Sequence, residues 1–174
     1  GRRREDFLLC TKSLARSAEG MRRDIETSLR LLKTDYLDFY LAHNLRKPED
    51  YDRAAGPGGA VEALEAAREE GLVRHIGLSC HRYRDTFERA ILSGRFEVAM
   101  VAYSVLNDEL MDERVMPLAH EKGLGVVIMK ALGGGVLGAM PADLELPGGP
   151  ITAGAAIQFV LANENVDCTL VGMQ

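Results

Sequence analysis

Two apolar runs in the chain end on side chains able to do proton chemistry: Phe7-Leu8-Leu9-Cys10-Thr11-Lys12 and Tyr36-Leu37-Asp38-Phe39-Tyr40-Leu41-Ala42-His43. Each leads into polar loop sequence and then a helical pattern. Lys12 and His43 therefore fall at the carboxyl ends of what should be parallel strands, where α/β folds build their sites. Neighbouring strands lie about 4.8 Å apart, so adjacent strand ends bring an ammonium and an imidazole to one bound molecule. The competing reading keeps Lys12 as a solvated loop residue and His43 as a hydrogen-bonded structural group.

Composition narrows the class. With 174 residues, 47% of them hydrophobic, the chain can bury a core of its own and fits an ordinary soluble protein. The three cysteines, Cys10, Cys80 and Cys168, are odd in number and widely spaced. They offer neither a disulfide framework nor a metal-ligand spacing, and they point to a reducing, cytoplasmic setting. The formal charge of −5 carries no basic bias, and Arg2-Arg3-Arg4 runs straight into Glu5 and Asp6, so no nucleic-acid partner is expected. No segment approaches the roughly 18 apolar residues of a membrane span.

One unit repeats along the chain. Apolar runs at about 7–11, 36–42, 73–79, 97–103, 125–131 and 167–172 alternate with helical patterns at about 18–33, 59–71, 83–94, 111–122 and 152–164. Ser17 stands where a cap opens the first helix, and Gly71, Gly94 and Gly123 stand where left-handed residues close later ones. Runs such as Gly125-Val126-Val127-Ile128-Met129 suit parallel strands covered on both faces.

Such a series folds as a doubly wound open sheet or as a (β/α)8 barrel, which usually takes about 250 residues. The open sheet calls for a glycine-rich phosphate turn after its first strand, and Thr11-Lys12-Ser13-Leu14-Ala15-Arg16 contains no glycine. Glycines cluster late instead. Gly133-Gly134-Gly135 follows the fifth strand, either as a phosphate-binding loop of the kind barrels build late in the chain or as a flexible turn.

The order of segments resembles the aldo-keto reductases: Thr11-Lys12; Asp38 to His43; Gly71 through Ile76-Gly77-Leu78-Ser79; Ala102-Tyr103-Ser104; Met129-Lys130-Ala131-Leu132-Gly133-Gly134-Gly135; and Thr169-Leu170-Val171-Gly172-Met173. The resemblance implies an incomplete (β/α)8 TIM barrel over residues 1–174, with strands equivalent to the third through eighth of the family. It also implies reversible hydride transfer between NADPH, with NADH as the alternative, and a small carbonyl substrate. The family's Asp and proton-donating Tyr would precede residue 1, and its adenosine 2′-phosphate loop would follow Gln174. A barrel so shortened leaves its first and last strands as open edges able to pair with another chain.

By the same resemblance Lys12 lowers the pKa of that tyrosine and His43 orients the carbonyl oxygen. Ser79 matches the serine that bonds the nicotinamide carboxamide, and Tyr103 the aromatic residue that stacks on the nicotinamide ring. The alternative for Tyr103 is a strand-end ring packed on a helix. Lys130, Leu132 and Gly133 fall in the pyrophosphate-binding segment. Cys80 and Met100 stand at two positions where the family carries carboxamide partners, and His81 is a candidate substitute. The departures resemble a branch with some iron–sulfur members, although nothing in this chain suits ligation of a cluster. The rival readings are a catalytically inactive relative that binds cofactor or protein, and a barrel lyase using Lys12 as a Schiff-base nucleophile.

Overall fold

A computed structural model describes residues 3–81, 83–106, 111–139 and 151–172. Six strands, β1 (Cys10–Ser13), β2 (Leu37–Ala42), β3 (Val73–Cys80), β4 (Val98–Ala102), β5 (Gly125–Met129) and β6 (Cys168–Leu170), form one sheet. Between them run α1 (Ala18–Leu32), α2 (Pro48–Ala55), α3 (Ala60–Glu69), α4 (Arg84–Leu92), α5 (Met116–Glu121), α6 (Val136–Ala139) and α7 (Ala153–Leu161). Every pairing is parallel and the spatial order is β1 to β6 without a reversal. A doubly wound sheet reverses at a switch point. An unbroken order instead curls the sheet one way, and the result is a half-barrel with helices outside.

Most local signals hold. Ser17 Oγ accepts the Gly20 N–H at 3.2 Å and opens α1, and Gly71, Gly94 and Gly123 are left-handed beyond α3, α4 and α5. The structure departs from the sequence reading in several places: the expected 111–122 helix divides into a π-helical turn, Met111–Val115, and α5, and α6 stands where no helix is expected. The first strand begins at Cys10, with Phe7 and Leu8 exposed before it, because the Leu9 N–H is taken by the Asp38 carboxylate rather than by a ladder partner. The helix α2 has no counterpart among the expected elements. Pro48 at its first turn supplies the fixed φ, and the Asp50 carboxylate accepts the N–H groups of Arg46 and Lys47 at 3.2 Å each.

Side chains alternate faces along a strand, so register decides which residues share the concave side. Lys12 pairs with Leu41, Leu41 with Gly77 and Gly77 with Val98, forming one inward row. Ser79, Met100, Val127 and Cys168 form the next. Leu41, Val98 and Met100 make a small inner cluster, while Tyr40, Ile76, Leu78, Val101, Val126 and Ile128 pack outward against the helices. Gly77 is what the inner row tolerates: a Cβ there would lie 2.5 Å from the Val98 carbonyl oxygen and 2.6 Å from Leu41 Cδ2.

At the amino ends of the strands Asp38 ties three segments together. Its carboxylate accepts from Arg4 at 2.6 Å, from the Leu9 N–H at 2.9 Å and from Arg74 at 3.1 Å, and the two guanidinium groups sandwich the Tyr36 ring at 4.0 and 4.1 Å. Burial opposes its ionisation, yet the Leu9 N–H, Arg4 and Arg74 outweigh burial and hold the carboxyl below its ordinary range.

A group with a depressed folded pKa contributes stability that is present above its unfolded value, about 3.9, and lost as pH falls through the folded value. Asp38→Asn is therefore expected to lower stability at neutral pH by about 1.5–3 kcal/mol and to flatten the acid limb of the thermal midpoint against pH. An unchanged acid limb would remove Asp38 as its source. Gly77→Ala, by crowding Leu41 and Val98, is expected to cost about 1–3 kcal/mol, measured as a lower denaturant midpoint at constant slope.

Candidate active site

The carboxyl ends of β1, β2 and β3 bring the leading residues together. His43 follows β2 directly, and its N–H donates to the Ser13 carbonyl at 2.8 Å, which locks the end of β2 beside the end of β1. Lys12 lies on the inward face of β1, one row below His43, and is exposed. It sits inside the strand rather than just beyond it. Ser79, on the penultimate position of β3, is fully buried, and its Oγ lies 2.8 Å from His43 Nδ1. The same oxygen accepts the Asn44 N–H at 3.1 Å, while the Ser79 carbonyl accepts the Leu45 N–H at 3.1 Å.

This setting keeps His43 uncharged near neutrality. Burial lowers its pKa most, and the nearby charges of Lys12, His81, Arg16 and Arg46 lower it further. The Asn44 Oδ1 is buried and accepts no hydrogen bond among the described residues. A cavity of about 600 Å³, lined by Arg16, Ser17, Asp52 and Arg53 among others, shares Arg16 with this mouth but none of Lys12, His43 and Ser79.

The remaining sequence candidates divide. The loop after β5 is built from left-handed residues: Lys130 has φ 62°, and Gly133, Gly134 and Gly135 have φ 66°, 68° and 98°. Only glycine adopts such a run at little cost, and a Cβ on Gly133 would also meet Leu106 Cδ1 at 2.7 Å. Lys130 is exposed and its Cδ lies 3.6 Å from where a Gly134 Cβ would stand, so the chain of the lysine follows the glycine turn. Leu132 is half-buried between them.

Tyr103 is not presented to the mouth. It is one step out of phase with Met100 and Ala102, only 3% exposed, stacked on Phe159 of α7 at 5.6 Å and hydrogen-bonded to Asp112 at 3.0 Å. Asp112 belongs to a π-helical turn, Met111–Val115, and also accepts from Asn163 Nδ2. The ring therefore packs on a helix, which is the alternative the sequence leaves open. Cys80 is buried on the helix-facing side of β3, and Met100 lines the concave face. Met173 lies outside the described residues.

The sequence reading gives no site role to three residues at the mouth. Arg16 donates to the carbonyls of both His43 and Asn44 at 3.0 Å. Asn44 adopts φ 56°, a conformation Asn tolerates better than most residues, and an Asn directly after a strand end is a usable signal for it. Met129 shares an inward row with Ala102 and Leu170, and the strand alternation alone identifies it. Among the described residues no group of three or more His, Cys, Asp or Glu side chains is placed to hold a metal ion, and no helix is long and apolar enough to cross a membrane.

Comparison with known proteins agrees with this architecture. Residues 1–144 match the model of the aldo/keto reductase family. The NADH-specific methylglyoxal reductase of Escherichia coli (strain K12) is 29% identical over 133 residues, covering 76% of this chain and 39% of that protein. The structure of aldo-keto reductase AKR11C1 from Bacillus halodurans in its holo form superposes with a TM-score of 0.76 at 25% identity, covering 99% of this chain and 63% of that one. An aldo-keto reductase from Klebsiella pneumoniae in complex with NADPH gives a TM-score of 0.60 at 27% identity over 75% of this chain and 44% of its own. The chain thus spans less than two thirds of these relatives. With the strand order, the segment order and the family model in agreement, the chain belongs to the aldo/keto reductase family, a family of oxidoreductases that use NAD(P)H.

Proposed function

We propose that this chain forms part of a reductase that converts a small aldehyde or ketone to its alcohol, with Lys12 and His43 acting at the carbonyl and NADPH, or alternatively NADH, as the cofactor. The observation that carries the reading is the His43–Ser79 contact of 2.8 Å at a mouth where Lys12 is the penultimate residue of the adjacent strand.

In this reading Ser79 is the donor to His43 Nδ1, which gives the ring a useful form. A hydroxyl has one proton to give, and Ser79 Oγ already accepts the Asn44 N–H. Giving that proton to Nδ1 leaves the neutral imidazole with its hydrogen on Nε2, a donor available to a carbonyl oxygen. As negative charge develops on that oxygen, the Nε2–H and the Lys12 ammonium both stabilise it. The reaction also needs a proton donor. Tyr36 is held between two arginines, Tyr40 is buried against Ser28, Tyr51 lies under Arg89 and Tyr103 is bonded to Asp112. Burial raises the pKa of both Tyr40 and Tyr103, which makes them poorer acids. Tyr83, at the start of α4, is exposed and is the tyrosine that such contacts do not exclude. By the family resemblance the reading takes the donor tyrosine and its aspartate from outside residues 1–174.

The residues at hand suit a nicotinamide dinucleotide. Ser79 Oγ keeps one lone pair after its two bonds, and the unpartnered Asn44 Oδ1 beside it can take a further donor. Lys130, Leu132 and Gly133, on the left-handed loop, are the candidates for its phosphates, where the exposed Lys130 ammonium favours an anion while the Gly133 N–H closes the turn on the Lys130 carbonyl at 2.8 Å. Tyr103 would have to leave Asp112 and Phe159 to reach a nicotinamide, so the reading keeps it as the wall behind the mouth. When bound, the cofactor supplies the hydride. The exposed thiols of Cys10 and Cys168 suit a cytoplasmic protein.

Loss of nicotinamide absorbance with a reactive aldehyde tests the activity. In the protein bearing its donor tyrosine, Lys12→Met and His43→Ala are each expected to reduce turnover by about 10²–10⁴-fold, and residues 1–174 alone are expected to show little turnover. Robust turnover by residues 1–174 that Tyr40→Phe or Tyr83→Phe abolishes would move the donor into this chain. Cofactor binding without turnover in any form would favour the inactive binding module instead.

Imidazole NMR tests the charge state. The His43 midpoint is expected below the ordinary value of about 6.5, because the charged form is buried among cations. Protonation then fills Nδ1 as pH falls through that lowered midpoint, and Ser79 can no longer donate to it. Lys12→Met is expected to raise the midpoint; a wild-type midpoint at or above the ordinary value would contradict the neutral donor.

A further inference from the structure

We propose that Arg16 is a positioning residue for His43, its guanidinium tying the loop that follows Lys12 to the loop that follows His43. The inference rests on the reading of His43 as the group that orients the carbonyl, and it concerns what holds that ring in place.

Arg16 spends its donors on backbone. Nη2 donates to the carbonyls of His43 and Asn44, both at 3.0 Å, and Nη1 to those of Leu14 and Ala15 at 3.0 and 3.4 Å. One planar fork thus spans two loops, which a lysine ammonium at the same position cannot reproduce. The side chain is half-buried and makes no ion pair among the described residues. An unpaired cation held in that way needs carbonyl partners, and it places a positive charge beside His43.

The brace works because its foundation is fixed. The Arg16 carbonyl accepts the Ala60 N–H at 3.0 Å, and the Ala18 N–H donates to Gly58 at 2.8 Å, so residues 16–18 are pinned to the start of α3. On the other side of Arg16 the Ser13 hydroxyl donates to Asp24 and accepts the Ala15 N–H at 2.9 Å. The braced turn in turn needs support. Asn44 at φ 56° is in a conformation that costs a residue other than glycine free energy, and such positions persist when their surroundings over-determine them. Ser79 holds the Asn44 N–H and Arg16 holds its carbonyl, so the residue after His43 is clamped at both ends. Losing Arg16 frees the carbonyls of His43 and Asn44 and leaves the strained turn held by the Asn44 N–H bond to Ser79 alone, so that bond opens more often.

Charged and titratable groups around His43 are Lys12 from β1, His81 after β3, Arg46 on its own loop and Arg16, with Asp50 and Arg53 acting on Arg16 itself. Substituting Arg16 therefore separates geometry from charge. Amide hydrogen exchange and imidazole NMR on the wild type, Arg16→Lys and Arg16→Met supply the test. Both variants are expected to speed exchange of the Asn44 N–H by about ten-fold, the factor for one lost charge-assisted hydrogen bond. Only Arg16→Met is expected to raise the His43 midpoint toward about 6.5, since Arg16→Lys keeps the charge. Unchanged Asn44 exchange in Arg16→Met overturns the assignment. Exchange that accelerates equally throughout β2, β3 and β4 overturns it too, by making Arg16 a general stabiliser. Neither readout uses turnover, so a protein with these responses but no reductase activity would count against the proposed reaction and not against the brace.

Discussion

Everything at the mouth depends on the parallel register of three neighbouring strands. Side chains alternate faces with a period of two, so a slip of one residue would send Lys12 outward among the helices and bring Ser13 into the interior. The register is secured at both ends of β1 and β2. Asp38 takes the Leu9 N–H at the amino end, and the His43 N–H bonds the Ser13 carbonyl at the carboxyl end. Gly77 completes the arrangement, because only a residue without Cβ lets Leu41 and Val98 meet across β3. The inward row that carries Lys12 is therefore set by contacts two strands away from it.

The two ends of this sheet do different physical work. At the amino end a buried carboxylate is surrounded by two guanidinium groups and a backbone N–H, so its charge is compensated and its ionised form is favoured. At the carboxyl end the ionisable groups around His43 are cationic, and the imidazole is favoured in its neutral form. The first pattern resists change and suits a joint. The second gathers cationic groups around a neutral imidazole, with Asp50 acting on Arg16 at its rim.

Hydroxyl groups mediate between these charges. Ser79 connects His43 to the backbone of Asn44, Ser13 connects β1 to Asp24 on α1, and Tyr103 connects β4 to the π-helical turn and α7. Each is buried and each is bonded, as buried hydroxyls need to be. Tyr103 also shows why a strand-end aromatic cannot be assigned to a ligand by position alone: its ring fills the space between β4 and α7, and its oxygen satisfies Asp112.

Much of this was legible in the residues. The alternating βα pattern, the cap at Ser17, the glycines after the helices and the placement of Lys12 and His43 near strand ends are local features, determined by hydrophobic period and backbone preference over a few neighbouring positions. The sequence alone also carried the likeness that implied a barrel segment. What it left open was whatever depends on partners distant in the chain. The start of β1 moved because Asp38, 29 positions after Leu9, captures the Leu9 N–H. Tyr103 faces the helices because register with β5 and β3 sets its parity, and two adjacent residues of one strand cannot share a face. The hold of Arg16 on His43 spans 27 positions, and no local period records it. Side-chain types and spacing determined which groups were available for chemistry; tertiary packing decided which of them meet, because hydrogen bonds and buried charge are settled by neighbours in space.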